Sequence, residues 1–383
     1  MNTMVEENLK VPKLRFGEFS GAWESKKLNS IANIITGSTP STAVQEYYNG
    51  PYLFVSPFDI NNNKYVEETK TTLSELGFSK CRKIAAGSVC FVCIGSTIGK
   101  VAIVKEEFAT NQQINTLTAF NNFSNDYIYY YLDKISKSIK LLAGIQAVPL
   151  INKSDFSKIS IKVPMLAEQE KIANYLSALD EKLNLLSEKE KNLAQYKKAM
   201  MQKLFAQEIR FKDDEGKEFE AWEEKKLGEV ADNISSGKSK KVDNGKIPLY
   251  GSTGIIGFSE NSDYCGTKIL IARVGANAGY MYKVTGSYGV TDNTLILNVI
   301  DNNIDFIHSS LSYINLNRFI FGSGQPLITG GLLKNLLIQL PCLAEQEKIA
   351  QFLSAIDEKI NAVQKQIAAM QEFKKAMLQQ MFV

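Results

Sequence analysis

The chain has 383 residues, of which 44% are hydrophobic and 22% charged, with a formal net charge of +3. Such a length suits two domains plus connecting structure, and the composition excludes disordered and fibrous classes. No apolar run approaches the roughly 18 residues of a membrane span, the opening residues lack signal-peptide character, and five cysteines fit a reducing compartment, so a cytoplasmic protein is expected.

After a tail over residues 1–11, a first domain is expected over 12–163. It opens with "RFGEFSGAWESKKLNSIANI" and centres on "VCFVCIGSTIGKVAIV", two apolar strands around a G-x-x-x-G turn at Gly95 and Gly99. Period-two alternation sends Cys90 and Cys93 to opposite faces of a buried strand, which favours core packing over a metal site. The turn carries Ser96, Thr97 and Lys100. It is one residue short of a phosphate-binding loop and has Val101 where the hydroxyl should stand, so a hairpin turn is expected. "TNQQIN" follows with Asn111, Gln112 and Gln113, then a helical stretch, "YIYYYLDKISKSIKLLAG", and "QAVPLI" with Gln146.

A long helix is expected over 164–206. It begins "PMLAEQEKIA", and a second over 341–383 begins "PCLAEQEKIA", the two stretches aligning without a gap to "KKAM" near their far ends. Each has a proline at its start and glutamates in its first turn, Glu168 and Glu170 or Glu345 and Glu347, where acidic groups suit the helix dipole. Ile172, Leu176, Leu179, Leu183, Leu186 and Leu193 recur at steps of four and three, and so do Ile349, Leu353, Ile356, Ile360, Val363 and Ile367. Glu190, Lys197 and Lys374 interrupt the pattern. Such a seam predicts a coiled coil.

Between the helices, a second domain over 207–340 repeats the landmarks of the first. "RFKDDEGKEFEAWEEKKLGEVADNI" matches the opening, with Trp222 for Trp23. "DNISSGKSKK" has Asp232 where a phosphate loop needs glycine, and is read as a mobile basic loop with Lys238, Lys240 and Lys241. "ILIARVGANAGYMYKV" brings Arg273, Asn277 and Tyr280 around a second G-x-x-x-G; "TDNTLIL" brings Asn293 and "QPLI" brings Gln325. His308, the only histidine, falls in a helical segment and is read as structural.

The expected fold class is therefore α+β, with two mixed α/β domains separated by an antiparallel two-helix coiled coil, related by a pseudo-two-fold axis. The antiparallel sense follows from lengths: each helix spans about 58 Å, and a domain of this size is narrower than that. No catalytic or cofactor motif is found, so a non-enzymatic chain is expected. The polar loops fit nucleic acid: Asn and Gln suit the adenine edge, Arg and Lys the guanine edge, and Lys and Ser the phosphates. Asn111, Gln112, Gln113, Gln146, Arg273, Asn277, Asn293 and Gln325 are the candidate readers. Ser96, Thr97, Lys100, Lys238, Lys240, Lys241 and Tyr280 complete the candidate surface. A coiled-coil scaffold whose end domains bind protein or glycan is the alternative.

The "RF...AWE.KKL" opening of each repeat, the "IG..IGKVAI" and "NQ" core, and the doubled "P.LAEQEKIA" helix entry resemble the specificity subunit of a type I restriction-modification system. The resemblance runs from about residue 12 to the end. It implies two target recognition domains, each contacting one half of a split, asymmetric DNA site, and a helical rod that sets the gap and binds two modification subunits. Those partners would hold S-adenosylmethionine and methylate adenine, while restriction/translocase subunits would use ATP and Mg. The second domain is about 22 residues shorter than the first, so unlike half-sites are expected. The repeated octet LAEQEKIA, at 166–173 and 343–350, is expected to start the same helix twice and to offer each partner copy an equivalent docking surface.

Overall fold

The computed structural model describes residues 11–61, 63–142, 149–320 and 326–383. Packing divides the chain into two compact units, residues 1–187 with 365–383, and residues 188–364. Each unit mixes helices and sheets and holds part of both long helices, Leu166–Phe205 and Leu343–Gln380.

The first unit contains β1 (Glu24–Lys27), β2 (Ala32–Thr36), β3 (Tyr48–Val55), β4 (Thr72–Leu73), β5 (Val89–Val92), β6 (Val101–Ile103), β7 (Ala109–Thr110), β8 (Ile114–Ala119) and β9 (Ser160–Val163). Its central sheet has the order β2-β8-β5-β6, all antiparallel, beside a β4-β3-β7 sheet and a β1-β9 ribbon. The pleat of β5 divides the core. Val89 and Phe91 face the helix Asn125–Leu142 with Cys93, whereas Cys90 and Val92 join Val55, Ile60 and Phe108 on the other face. The two cysteines thus lie in separate clusters, and burial pushes the Cys93 thiol up to about 12.

The second unit repeats this plan with β10 (Glu223–Lys226), β11 (Ala231–Ser236), β12 (Ile247–Gly251), β13 (Gly254–Ser259), β14 (Tyr264–Cys265), β15 (Lys268–Ala272), β16 (Met281–Val284), β17 (Ser287–Val290), β18 (Thr294–Val299) and β19 (Leu337–Leu340). The central sheet is β11-β18-β15-β16, the side sheet β13-β12-β17-β14 and the ribbon β10-β19. Ile269 and Ile271 face the core that includes the helix Ile304–Ile314, and Leu270 faces the opposite cluster.

Each domain is clasped to the start of a long helix by the octet itself. Glu168 is 1% exposed, and its carboxylate accepts from Arg15 Nε at 2.7 Å, Arg15 Nη2 at 2.7 Å and Trp23 Nε1 at 3.3 Å. Glu345 is 0% exposed and accepts from Arg210 Nε at 3.1 Å, Arg210 Nη2 at 2.7 Å and Trp222 Nε1 at 3.1 Å. The next residue is buried too. Gln169 donates to the Pro164 carbonyl and accepts from Ser124 N; Gln346 donates to the Pro341 carbonyl and accepts from Asn303 N. Even the octet's lysines bond within their own unit, Lys171 to Glu18 and Lys348 to Asp214. The repetition therefore has an internal cause: these letters hold domain to helix, and their defining side chains face inward. Of the first-turn glutamates, Glu168 and Glu345 act as buried hydrogen-bond acceptors, beyond the helix-dipole role expected of them, while Glu170 and Glu347 are exposed.

The far ends of the helices close the two cores. Phe382 packs in the first unit on Trp23, Tyr127 and Tyr131, with ring centroids 6.5, 5.2 and 5.5 Å away. Phe205 does the same in the second, on Trp222 at 6.3 Å and Phe306 at 5.6 Å.

Within each unit the two helices run antiparallel. In the first, Lys374 donates to Asp180; in the second, Lys197 donates to both oxygens of Asp357 at 2.6 and 2.7 Å, and Gln364 donates to Glu190 at 2.6 Å. The charged residues that interrupt the apolar repeat are therefore seam residues with partners on the facing helix. Ile172, Leu176, Ile349, Leu353, Ile356 and Val363 are buried; Leu179, Leu183, Leu186, Leu193, Ile360 and Ile367 are half-buried. Two helices leave the sides of their seam open. Ile172 and Leu176, and likewise Ile349 and Leu353, are buried more fully because a domain core also covers them.

Two outcomes follow from this packing. Glu168→Ala should destabilise the first unit by about 3 kcal/mol, near the lower end for removing one partner of a buried pair because Arg15 still reaches solvent. Hydrogen exchange should show the loss around Trp23, and Glu345→Ala should show it around Trp222. His308 is the second case: burial first, then Lys283 and Lys197, push its pKa down from 6.5 to about 4. Between those values the unfolded chain binds a proton that the folded one does not. Stability of the second unit is thus fully present above pH 6.5 and falls as the pH drops toward about 4. Denaturant titrations of His308→Gln across that range should show a shallower decline than the unsubstituted chain.

Candidate nucleic-acid interface

The same loop cluster is built twice by the same backbone hydrogen bonds. In the first unit the turn between β5 and β6 meets the amide turn between β7 and β8: Cys93 N donates to the Gln113 carbonyl at 2.8 Å. The segment from Pro149 closes the other side, with Gly95 N donating to the Pro149 carbonyl and Ile151 N to the Cys93 carbonyl, both at 2.9 Å. In the second unit Arg273 N donates to the Asn293 carbonyl at 2.9 Å, Gly275 N to the Pro326 carbonyl at 3.0 Å and Ile328 N to the Arg273 carbonyl at 2.9 Å. The G-x-x-x-G spacing has a conformational reason. Gly95 and Gly99, like Gly275 and Gly279, have φ between 81° and 96°, the left-handed region that side chains disfavour.

Ser96 and Thr97 lie on the first of these turns, with the Ser96 carbonyl accepting from Lys140 Nζ at 3.2 Å. Lys100 leaves the turn to donate to the Pro57 carbonyl at 3.0 Å. In the amide turn, Asn111 donates to Gln113 Oε1 at 3.0 Å, and Thr39 donates to Gln112 Oε1 at 2.7 Å. The second unit places Asn277 and Tyr280 exposed on its turn, with Arg273 half-buried beside them and Asn293 exposed on the facing turn. Ser96, Thr97, Lys100, Asn111, Gln112 and Gln113 thus gather in one cluster, and Arg273, Asn277, Tyr280 and Asn293 in its counterpart. Gln146 and Gln325 lie outside the described residues.

The basic loop of the second unit is anchored, not mobile. Lys238, Lys240 and Lys241 are exposed, while Ser239 between them is buried. Ser239 N donates to the Val290 carbonyl, Val290 N donates back to its hydroxyl, and that hydroxyl donates to Asp263. Lys238 and Lys240 are exposed on either side of this buried anchor. Sequence reasoning missed four first-unit contributors: Thr39, the Ser56–Asp59 turn, Lys70 and Lys140. "SPFD" at 56–59 carries a readable signal, since Ser-x-x-Asp is a turn pattern. Among the described residues, no group of His, Cys, Asp or Glu is placed to hold a metal ion, and no helix is long and apolar enough to cross a membrane.

The type I restriction modification DNA specificity domain matches residues 21–195 and 220–371. The chain belongs to this family. Among its relatives, the MjaVIII specificity subunit of Methanocaldococcus jannaschii is 26% identical over 399 residues, covering 93% of this chain and 91% of that one. The EcoprrI specificity subunit of Escherichia coli is 24% identical over 358 residues, 88% of each. The match to the MjaIX specificity subunit of M. jannaschii, 26% identical over 250 residues and 61% of this chain, spans only 58% of that relative. The fold is similar to the S subunit of M. genitalium, with a TM-score of 0.66 and 19% identity over 97% of this chain and 99% of that one. Specificity subunits are the non-catalytic recognition components of type I systems, and this chain is one of that family. Ser239→Ala should release the lysine loop: hydrogen exchange should rise over residues 237–242 and stay unchanged in the first unit, whereas uniform protection would show that the loop is held otherwise.

Proposed function

We propose that this chain reads a bipartite, asymmetric DNA sequence for a type I restriction-modification complex. Its recognition domains are residues 12–163 and 207–340, and its spacer helices are residues 164–206 and 341–383. The observation that carries the proposal is the loop cluster built twice on one backbone scheme with different side chains: Asn111, Gln112, Gln113 and Lys100 in one copy, Arg273, Asn277, Tyr280 and Asn293 in the other. A duplicated frame with unlike polar tips suits two unlike half-sites. Amides read adenine, Arg reads guanine, and the exposed lysines Lys238, Lys240 and Lys241 hold phosphates.

The chain docks two modification subunits and, with them, restriction/translocase subunits in the cytoplasm. S-adenosylmethionine, ATP and Mg belong to those partners. The chain itself binds no cofactor and orients the DNA for methylation of adenine.

Binding to duplex DNA should weaken steeply between about 50 and 200 mM salt, by on the order of 10³-fold if about six phosphates are contacted. Replacing residues 12–163 by the equivalent domain of a relative should change one half-site of the methylated sequence and leave the other intact. Methylated-adenine mapping in cells carrying the chain and its modification subunit decides it. A change in both half-sites, or salt-insensitive binding, would overturn the reading.

A further inference from the structure

Phe58 is 71% exposed, yet the loop that carries it is tightly held. Asp59 accepts from Ser56 N at 2.8 Å, Ser56 Oγ at 2.7 Å and Lys70 N at 2.8 Å. The Pro57 carbonyl accepts from Lys100 Nζ at 3.0 Å, and the Val55 carbonyl accepts from Asn111 N at 3.1 Å. The residues on either side of Phe58 are therefore bonded directly or through near neighbours to both turns of the first loop cluster. Lys70 Nζ stands 5.3 Å from the centre of the ring. An apolar ring of about 200 Å² kept in water on a pre-ordered turn needs a partner to contribute anything.

The second unit has a counterpart at the matching place. Thr291 N donates to the Tyr250 carbonyl at 3.0 Å, as Asn111 N does to Val55. The hairpin that follows Tyr250 exposes Ile255 by 58% and Ile256 by 41%. Each domain thus sets an apolar tip beside its polar turn, aromatic in one and aliphatic in the other.

Resting on the reading that these clusters meet DNA, we propose that Phe58 is a specificity-determining residue of the first domain: its ring packs against the C5-methyl group of a thymine in the major groove. The amides and the ring are complementary in chemistry. Asn and Gln at 111–113 suit the N6 and N7 of adenine, which face the major groove, and the only apolar group a base pair offers there is the thymine methyl. Lys70 stands by the ring, and Lys100 binds the carbonyl of the residue before it, bringing the positive charge that phosphates require. A protein partner would demand an apolar surround, whereas the charged groups held on this turn are Lys70, Lys100 and Asp59.

The test uses the full chain assembled with its modification subunits and a duplex carrying the site found by methylation mapping. Each thymine of both half-sites is replaced in turn by deoxyuridine, which lacks only the C5-methyl. For the unsubstituted chain, one position in one half-site should bind about four-fold more weakly with uracil, the effect of one buried methyl. Phe58→Ala should bind the thymine duplex at least about four-fold more weakly and lose the discrimination at that position. Its responses in the other half-site should be unchanged, and Phe58→Leu should keep part of the discrimination. Hydrogen exchange over residues 54–71 that matches the parent chain shows the turn intact in both variants. Full discrimination in Phe58→Ala, or no thymine-uracil difference at any position of the parent, overturns the proposal. Failure of the parent to bind the mapped duplex at all would overturn the DNA reading itself, and is thereby told apart from failure of the Phe58 contact.

Discussion

A buried carboxylate governs how each half of this protein is put together. Glu168 and Glu345 are almost wholly removed from water, and a carboxylate in that position is tolerable only when its oxygens are saturated with donors. An arginine and the indole N–H of a tryptophan supply them in each copy. Those donors come from the opening stretch of the domain, while the acceptor comes from the first turn of the helix that leaves it. The Arg, Trp and Glu must therefore be retained together in both repeats, and the spacing between them constrains the path of everything in between. The β1-β9 and β10-β19 ribbons lie along that path and bring the two ends of each domain side by side.

The reciprocal pairing of the helices expresses the same duplication. Asp180 meets Lys374, and Asp357 meets Lys197. Each aspartate of the repeat is bonded to the lysine of the other copy, so one repeated pair of letters yields two equivalent bridges. These pairs sit at a half-open seam where water competes, and they contribute register more than stability. The apolar seam residues and the domain cores carry the greater share of burial.

Much of the architecture was legible because duplication turns weak signals into strong ones. Helix starts two residues after Pro164 and Pro341, the a/d spacing, the Cys90–Cys93 alternation and the G-x-x-x-G turns are all local patterns, and local patterns are what a linear text displays. The interruptions at Glu190, Lys197 and Lys374 looked like defects because their partners lie 160 to 194 positions away in sequence. The inward role of the octet's Glu and Gln was hidden for the same reason, since a surface dipole effect explains an acidic first turn equally well. In the loop clusters, residue types identified the polar tips, but the anchoring of Ser239 by Val290 and Asp263, and the binding of Pro57 to Lys100, depend on strand order. Phe58 was passed over because a phenylalanine in a sequence is ordinarily a core residue.

The placement of Phe382 has a consequence for synthesis. Residues 188–364 contain all of the second unit, so that unit can complete its core once those residues have left the ribosome. The first unit begins to emerge earlier but lacks Met381 and Phe382, which pack among Trp23, Tyr127 and Tyr131, until the second domain and its helix have been made. Contacts such as Lys134 to the Phe382 carbonyl, 248 residues apart, close only then. The domain translated first is thus finished last, and its aromatic face waits uncovered through the making of the other half. Nascent chains of this protein have a built-in interval of vulnerability whose length is set by translation of the second domain and its helix.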